Sequence, residues 1–292
     1  MKEDTDISEY WNDRFRKDKE NFSKFFGFGG FKYRKNYNFA YLFILNLIHL
    51  IYQKFTYKKF NYIFSSKEYL VTKIFCKKMK IPLNWRILRH TFIFHYLKKF
   101  IKDKKNFAVI GDGFATFSGI LYQIKKSKFK IYIINLSQVN RLDKKLLIER
   151  LGVDKKNIQY AKSKNDIKNF CKSKNNFCFV DSKNKMILKN TNIEIFFNTF
   201  SFCEMNNEVI KEYFKIIKSC KSYIYSCNSD KIWNFSNKFK ANTPQEKYPW
   251  KNYKNIFFKK CFWVNKIYFI GKSLTGEKYA KKDIYHILKK AN

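Results

Sequence analysis

The sequence predicts an α/β protein: a doubly wound, mostly parallel sheet, preceded by a helical segment and closed by an antiparallel hairpin. Three observations carry this. From residue 106 onward, short apolar runs alternate with amphipathic segments over about 120 residues, the signature of strand–helix–strand units. The first of these runs, 107–110, ends in Gly111-Asp112-Gly113, a glycine turn of the kind that leads from a parallel strand into a helix. Near the C-terminal side, the stretches 256–258 and 262–270 alternate in the manner of a hairpin.

The elements follow in order. Residues 1–100 read as a helical, aromatic N-terminal extension, and residues 101–292 as the sheet domain. Within the extension a glycine break at 27–30 precedes an apolar helix over 39–52. Pro82 stands before a second helix, 85–100, where Leu88, Phe92, His95 and Tyr96 recur at helical spacing. The apolar run 39–52 is shorter than the ~20 residues of a spanning helix and contains Asn46 and His49, so no transmembrane segment is predicted. A buried helix is expected there, with an interfacial helix as the alternative. In the sheet domain, strands are expected at 107–110, Lys130–Asn135, 177–180, 193–197 and 222–227. Helices are expected at Thr116–Lys125, at 141–151 with Gly152 as C-cap, and after Asn206, where Val209, Ile210, Tyr213, Phe214 and Ile217 form one face.

Composition narrows the function classes. The chain has 292 residues, 45% of them hydrophobic, which excludes global disorder, and three Pro and nine Gly exclude collagen-like and linker classes. The formal charge is 61 − 23 = +38, and 54 of the 61 basic residues are Lys. Lys, Asn, Ile, Phe and Tyr all have AT-rich codons, and a dedicated phosphate reader leans on the Arg fork instead. Nucleic acid is therefore a possible partner but not the favoured one. The seven cysteines show no CxxC pair, consistent with reduced thiols in the cytoplasm and with no metal site. The polar, acidic opening Met1-Lys2-Glu3-Asp4 does not read as a secretory signal.

The glycine turn lets a ligand cross the end of a strand where a Cβ would obstruct it. A dinucleotide site needs a third glycine and an acidic residue ending the second strand; here Ala115 or Thr116 and Asn135 occupy those places, which disfavours NAD. S-adenosylmethionine (SAM) is the other cofactor class that uses such a turn.

Gly111-Asp112-Gly113-Phe114, the strand end Asn135-Leu136 and the block Asn198…Ser201-x-x-Glu204-Met205, which opens a helix carrying Tyr213-Phe214, resemble the bacterial sugar O-methyltransferase family. Asn228 at the end of the next strand and Tyr248-Pro249-Trp250 before the final hairpin fit as well, so the resemblance covers roughly residues 105–270. It implies a Rossmann-like class I methyltransferase, SAM as cofactor, and a small-molecule or glycan-precursor acceptor in polysaccharide biosynthesis. It also implies that Gly111, Asp112, Gly113 and Phe114 line the methionine and ribose region. Asn135 and Leu136 would lie by the ribose and adenine, and Asn198 would face the sulfonium. Two positions depart from the family pattern: Val109 and Asn135 stand where acidic residues are usual, which leaves a non-catalytic member of the fold as an alternative. Glu204, following the fourth strand, is the candidate general base, with helix capping as its other reading; His95 and His90 are further candidates. Asp181 is placed to meet the adenine amino group. Tyr248 and Trp250 offer a flat surface for a sugar or pack the tail.

Overall fold

The computed structural model describes residues 38–125, 129–229, 243–265 and 284–292. Its strands are β1 (Asn106–Ile110), β2 (Lys130–Asn135), β3 (Ile158–Ala161), β4 (Phe177–Asp181), β5 (Ile195–Thr199), β6 (Tyr223–Ser229), β7 (Tyr253–Lys260) and β8 (Ile284–Ala291). The helices are α1 (Phe39–Thr56), α2 (Lys67–Met79), α3 (Trp85–Ile101), α4 (Thr116–Lys125), α5 (Ser137–Glu149), α6 (Lys164–Lys172), α7 (Asn207–Ser219) and the short α8 (Phe262–Asn265).

The strands form one sheet in the order β3-β4-β2-β1-β5-β6-β8-β7, parallel from β3 to β6, with β8 antiparallel to both β6 and β7. This is the doubly wound, Rossmann-like sheet with an antiparallel edge. Because successive side chains point to opposite faces, each central strand feeds two cores. Phe107 and Val109 of β1, Ile131 and Ile133 of β2 and Phe197 of β5 pack under α2, α3, α4 and α5. Ala108, Ile110, Tyr132, Ile134 and Phe196 pack under α6 and α7. The helices α2 and α3 thus share one core with the sheet. Chain order reverses between β1 and β5, whose Ile110 and Asn198 are register partners, so the carboxyl ends of these two strands form the topological switch point.

Several expectations need correction. Within the second stretch expected for the hairpin, Phe262–Asn265 is helical and 266–270 lie outside the described residues; among the described residues the antiparallel partner of β7 is β8 at Ile284–Ala291. The adjacent Lys289 and Lys290 break the apolar alternation of β8 and conceal it in the sequence. The unit β3–α6 was not foreseen, since β3 has only four residues and three of them are incompletely buried. The helix expected over 141–151 runs Ser137–Glu149, and the left-handed Gly152 stands beyond its last turn. The glycine break at 27–30 lies outside the described residues. The largest departure is α1, expected to be buried: only His49 and Gln53 are, while Phe39, Phe43 and Phe55 are 81%, 63% and 83% exposed. No described helix is long and apolar enough to cross a membrane. None of the seven cysteines is in a disulfide, and five are buried.

Gly111 and Gly152 share a φ of +72°, but a Cβ on Gly111 would stand 2.3 Å from Ser201 Oγ, whereas one on Gly152 meets nothing within 4 Å. Gly152→Ala should therefore cost only the left-handed strain, about 1–2 kcal/mol. Gly111→Ala should cost that plus about 1–3 kcal/mol of overpacking. Urea unfolding of the two variants checks the difference, and equal losses would contradict it.

Candidate functional site

At the carboxyl end of β1 the chain turns through Gly111, whose N–H donates to the Ile134 carbonyl on β2 (2.9 Å). Asp112 then folds back over the helix that follows. Its carboxylate accepts the N–H groups of Phe117 (2.7 Å) and Ser118 (2.8 Å), two of the donors at the start of α4 that have no partner within the helix. Between them, Phe114 and Ala115 adopt positive φ values of 63° and 48°, a conformation that non-glycine residues rarely hold. It is held in part by Asp143 of α5, whose Oδ1 accepts the Ala115 N–H at 2.8 Å. Phe200, on the loop after β5, is a third such residue, with φ 66°. Three of the six described non-glycine residues with positive φ thus lie on the two loops that meet at the switch point; Lys80, Asn190 and Lys221 are the others.

Asp143 was not singled out from the sequence, yet a signal existed. On α5, Val139, Leu142, Leu146 and Leu147 form the buried face, and Asp143 falls within that stripe. A carboxylate on an apolar face needs a polar partner. Its other oxygen receives Asn135 Nδ2 at 3.4 Å.

Asn135 also accepts the Leu136 N–H (3.0 Å), so its amide is already engaged on both sides. Its register partner on β4 is Asp181. There Oδ1 accepts from Asn140 Nδ2 (3.0 Å), while Oδ2 has no hydrogen-bond partner among the described residues. Leu136, half-buried, begins the turn into α5.

Asn198, at the end of β5, is fully buried and internally satisfied. Its Nδ2 donates to Ser201 Oγ and the Ile110 carbonyl, and its Oδ1 accepts from the Phe202 N–H and from Asn228 Nδ2. The network continues through Ser226 to Gln245, two residues that sequence reasoning also missed. Glu204 closes the buried turn Phe202–Glu204 after β5, two residues before the N-cap of α7.

The remaining candidates separate. His95 lies 3.5 Å from Glu68 on α2 and against the Tyr62 ring, turned toward the helical layer. His90, one and a half turns earlier on α3, packs edge-on against Phe117 at the start of α4, and its Nδ1 has no hydrogen-bond partner. Burial, then the neighbouring Arg89, holds His90 well below the usual histidine range. The Arg89 guanidinium lies over the Phe200 ring at 4.6 Å. Tyr248 is buried between Phe202 and Phe214; Trp250 packs on Phe214 and under Lys289. Their rings serve the core of the α7 face. Among the described residues no cluster of His, Cys, Asp and Glu could hold a metal ion.

Burial pushes the Asp112 carboxyl up to about 7, against the opposing pull of its hydrogen bonds, and burial followed by repulsion from Asp112 pushes Asp143 well above the carboxylate range. Both bind a proton more readily in the folded chain than in the unfolded one. Asp112 therefore contributes stability that is complete below about pH 4 and is lost as pH rises toward about 7, and Asp143 contributes in the same direction. Asp143→Asn, which keeps the acceptor for Ala115, should flatten this part of the profile. Thermal melts of wild type and variant across that window test it, and parallel curves would contradict it.

No family model matches the chain, and no curated protein matches it in sequence. Several solved structures resemble it loosely. The plantazolicin methyltransferase BamL, in complex with a triazolic desmethylPZN analog and SAH, shares 13% identity over 87% of this chain and 98% of its own, with a TM-score of 0.43. The methyltransferase domain of bacterial CtHen1-CN shares 12% over 72% and 100%, with a TM-score of 0.43. The mitomycin 7-O-methyltransferase MmcR shares 6% over 66% and 50%, with a TM-score of 0.41. Likenesses this loose do not assign an activity, and the doubly wound fold stands on the strand order itself.

Proposed function

We propose that this chain is a SAM-dependent methyltransferase acting on a hydroxyl of a sugar or glycan precursor. The observation that carries the cofactor assignment is the inward-turned Asp112. In a dinucleotide site the N–H groups opening the first helix receive a pyrophosphate. Here two of them are bound by a carboxylate of the protein itself, which also places a carboxyl group where a phosphate would approach. A cofactor lying over this turn must carry no phosphate, and SAM meets that requirement. The block Ser201-x-x-Glu204-Met205 supports the sugar O-methyltransferase reading.

The residues present suit the rest of the cofactor. Gly113 and Phe114 leave backbone at the switch point for the methionine portion, while Gly111 lets the β5 loop close against the turn at Ser201. Asn135 and Leu136 border the ribose and adenine. Asn135 cannot supply the charge-assisted acceptor that the ribose hydroxyls usually meet, but its register neighbour Asp181 has a carboxylate oxygen to accept from them or from the adenine amino group. When bound, SAM supplies an electrophilic methyl group on a sulfonium. The protein holds the acceptor hydroxyl in line with it and provides Glu204, beside the end of β5, to take the hydroxyl proton. Asn198 acts beneath the site: its internal bonds fix the β1 and β5 loops against each other.

Calorimetric titration with SAM and S-adenosylhomocysteine tests the cofactor. Binding should be measurable in wild type, weakened about tenfold by Asp181→Asn (about 1.4 kcal/mol) and abolished by Gly113→Arg in a variant that still melts cooperatively. Absence of binding to the wild type at millimolar SAM would overturn the assignment. For the base, Glu204→Gln should lower kcat about 100-fold or more with SAM affinity unchanged. An unaltered kcat would return Glu204 to a capping role.

A further inference from the structure

The helix α1 has its polarity reversed. Asn46, His49 and Gln53, spaced three and four residues apart, form its inward stripe. Asn46 Oδ1 accepts the Leu83 N–H at 2.8 Å, Gln53 Nε2 donates to the Leu83 carbonyl, and His49 is buried. Burial lowers His49 to about 4, so this inward stripe carries no charge at neutral pH. The outward stripe is apolar: Phe39, Phe43, Leu47 and Ile51 are 81%, 63%, 49% and 59% exposed, and Ile44 and Phe55 flank them at 57% and 83%. At 150–250 Å² per large side chain these six residues expose on the order of 700 Å² of apolar surface, beyond what an isolated soluble surface tolerates.

Charge identifies what such a face meets. Between residues 54 and 80 the chain carries eight lysines, all of them exposed, and one acid, Glu68, which lies against His95. A second copy of this chain would bring the same lysines and a net charge of +38 against them. A surface that is anionic outside and apolar beneath complements both features at once.

We propose that α1 is an interfacial anchor that seats this face of the protein on an anionic phospholipid bilayer. The apolar stripe enters the boundary between headgroups and acyl chains without spanning the membrane. The lysines that follow α1, Lys58 and Lys59 first among them, pair with the headgroup phosphates. The polar stripe against the loop at Leu83 fixes the helix to the body of the protein, so binding orients the whole molecule.

The test is flotation of the full chain with phosphatidylcholine vesicles, with and without phosphatidylglycerol, alongside sedimentation of the protein alone. The chain should float with the anionic vesicles only. Phe43→Ser combined with Ile51→Ser should weaken that binding by about tenfold or more while leaving the melting curve unchanged, since both side chains are exposed. Lys58→Glu combined with Lys59→Glu should weaken it as well. Three results would overturn the proposal: no flotation of the wild type, flotation indifferent to either pair, or a wild-type dimer that the Phe43 and Ile51 pair converts to monomer.

Discussion

A carboxylate turned inward organises the carboxyl edge of this sheet. Asp112 sits between the end of β1 and the start of α4 and satisfies two backbone donors that the helix leaves without partners. The chain between them is forced through two consecutive left-handed residues, Phe114 and Ala115, and the second of these is secured by another buried carboxylate, Asp143, from α5. One hydrogen-bonding decision thus fixes the loop geometry, brings α5 to the turn and occupies two of the N–H groups that open α4. Its cost is two acidic groups close together in a poorly solvated place, which is tolerable because backbone N–H groups surround them.

On the other side of the switch point, neutral groups serve the same purpose. Asn198 ties β5 to β1 through the Ile110 carbonyl and to β6 through Asn228, and Ser226 passes the chain of bonds to Gln245. Trp250 donates to the Gln245 carbonyl, so the segment before β7 is anchored to the same network. Such a network is fully effective only when all its members are paired, and it limits the ways in which the three strand ends can shift relative to one another.

How much of this was legible in the sequence follows from what periodicity reports. β1, β2, β4 and β5 are built on short apolar runs and β6 opens on Tyr223-Ile224-Tyr225, and the sheet hides both their faces, so these strands could be found, as could the amphipathic helices between them. β3 is too short, and β8 too interrupted by lysine, to register. Periodicity also gives the relative angle of two residues on a helix but not the direction of the neighbouring layer. His90 and His95 lie on different faces of α3, and only the fold shows that His90 meets Phe117. The stripe Asn46, His49, Gln53 was visible as well, but the rule that polar residues face outward reverses it. Glycine, glutamate and asparagine at the strand ends could be located as a constellation. The bonds that join them could not: Asn198 pairs with Asn228 thirty residues away, and Ser226 and Gln245 extend the network from strand and loop positions that no periodicity marks.

The position of β8 bears on how the sheet is assembled. It is the last of the eight strands in chain order, yet it lies inside the sheet, between β6 and β7. Among the described residues, the outer edge of β6 and the inner edge of β7 both have β8 as their mate, and β8 begins more than twenty positions after β7 ends. During that interval β6 presents an open ladder edge carrying the apolar side chains of Ile224 and Tyr225. This half of the sheet therefore forms late through distant pairings, and during synthesis it is the part most exposed to mispairing with another chain.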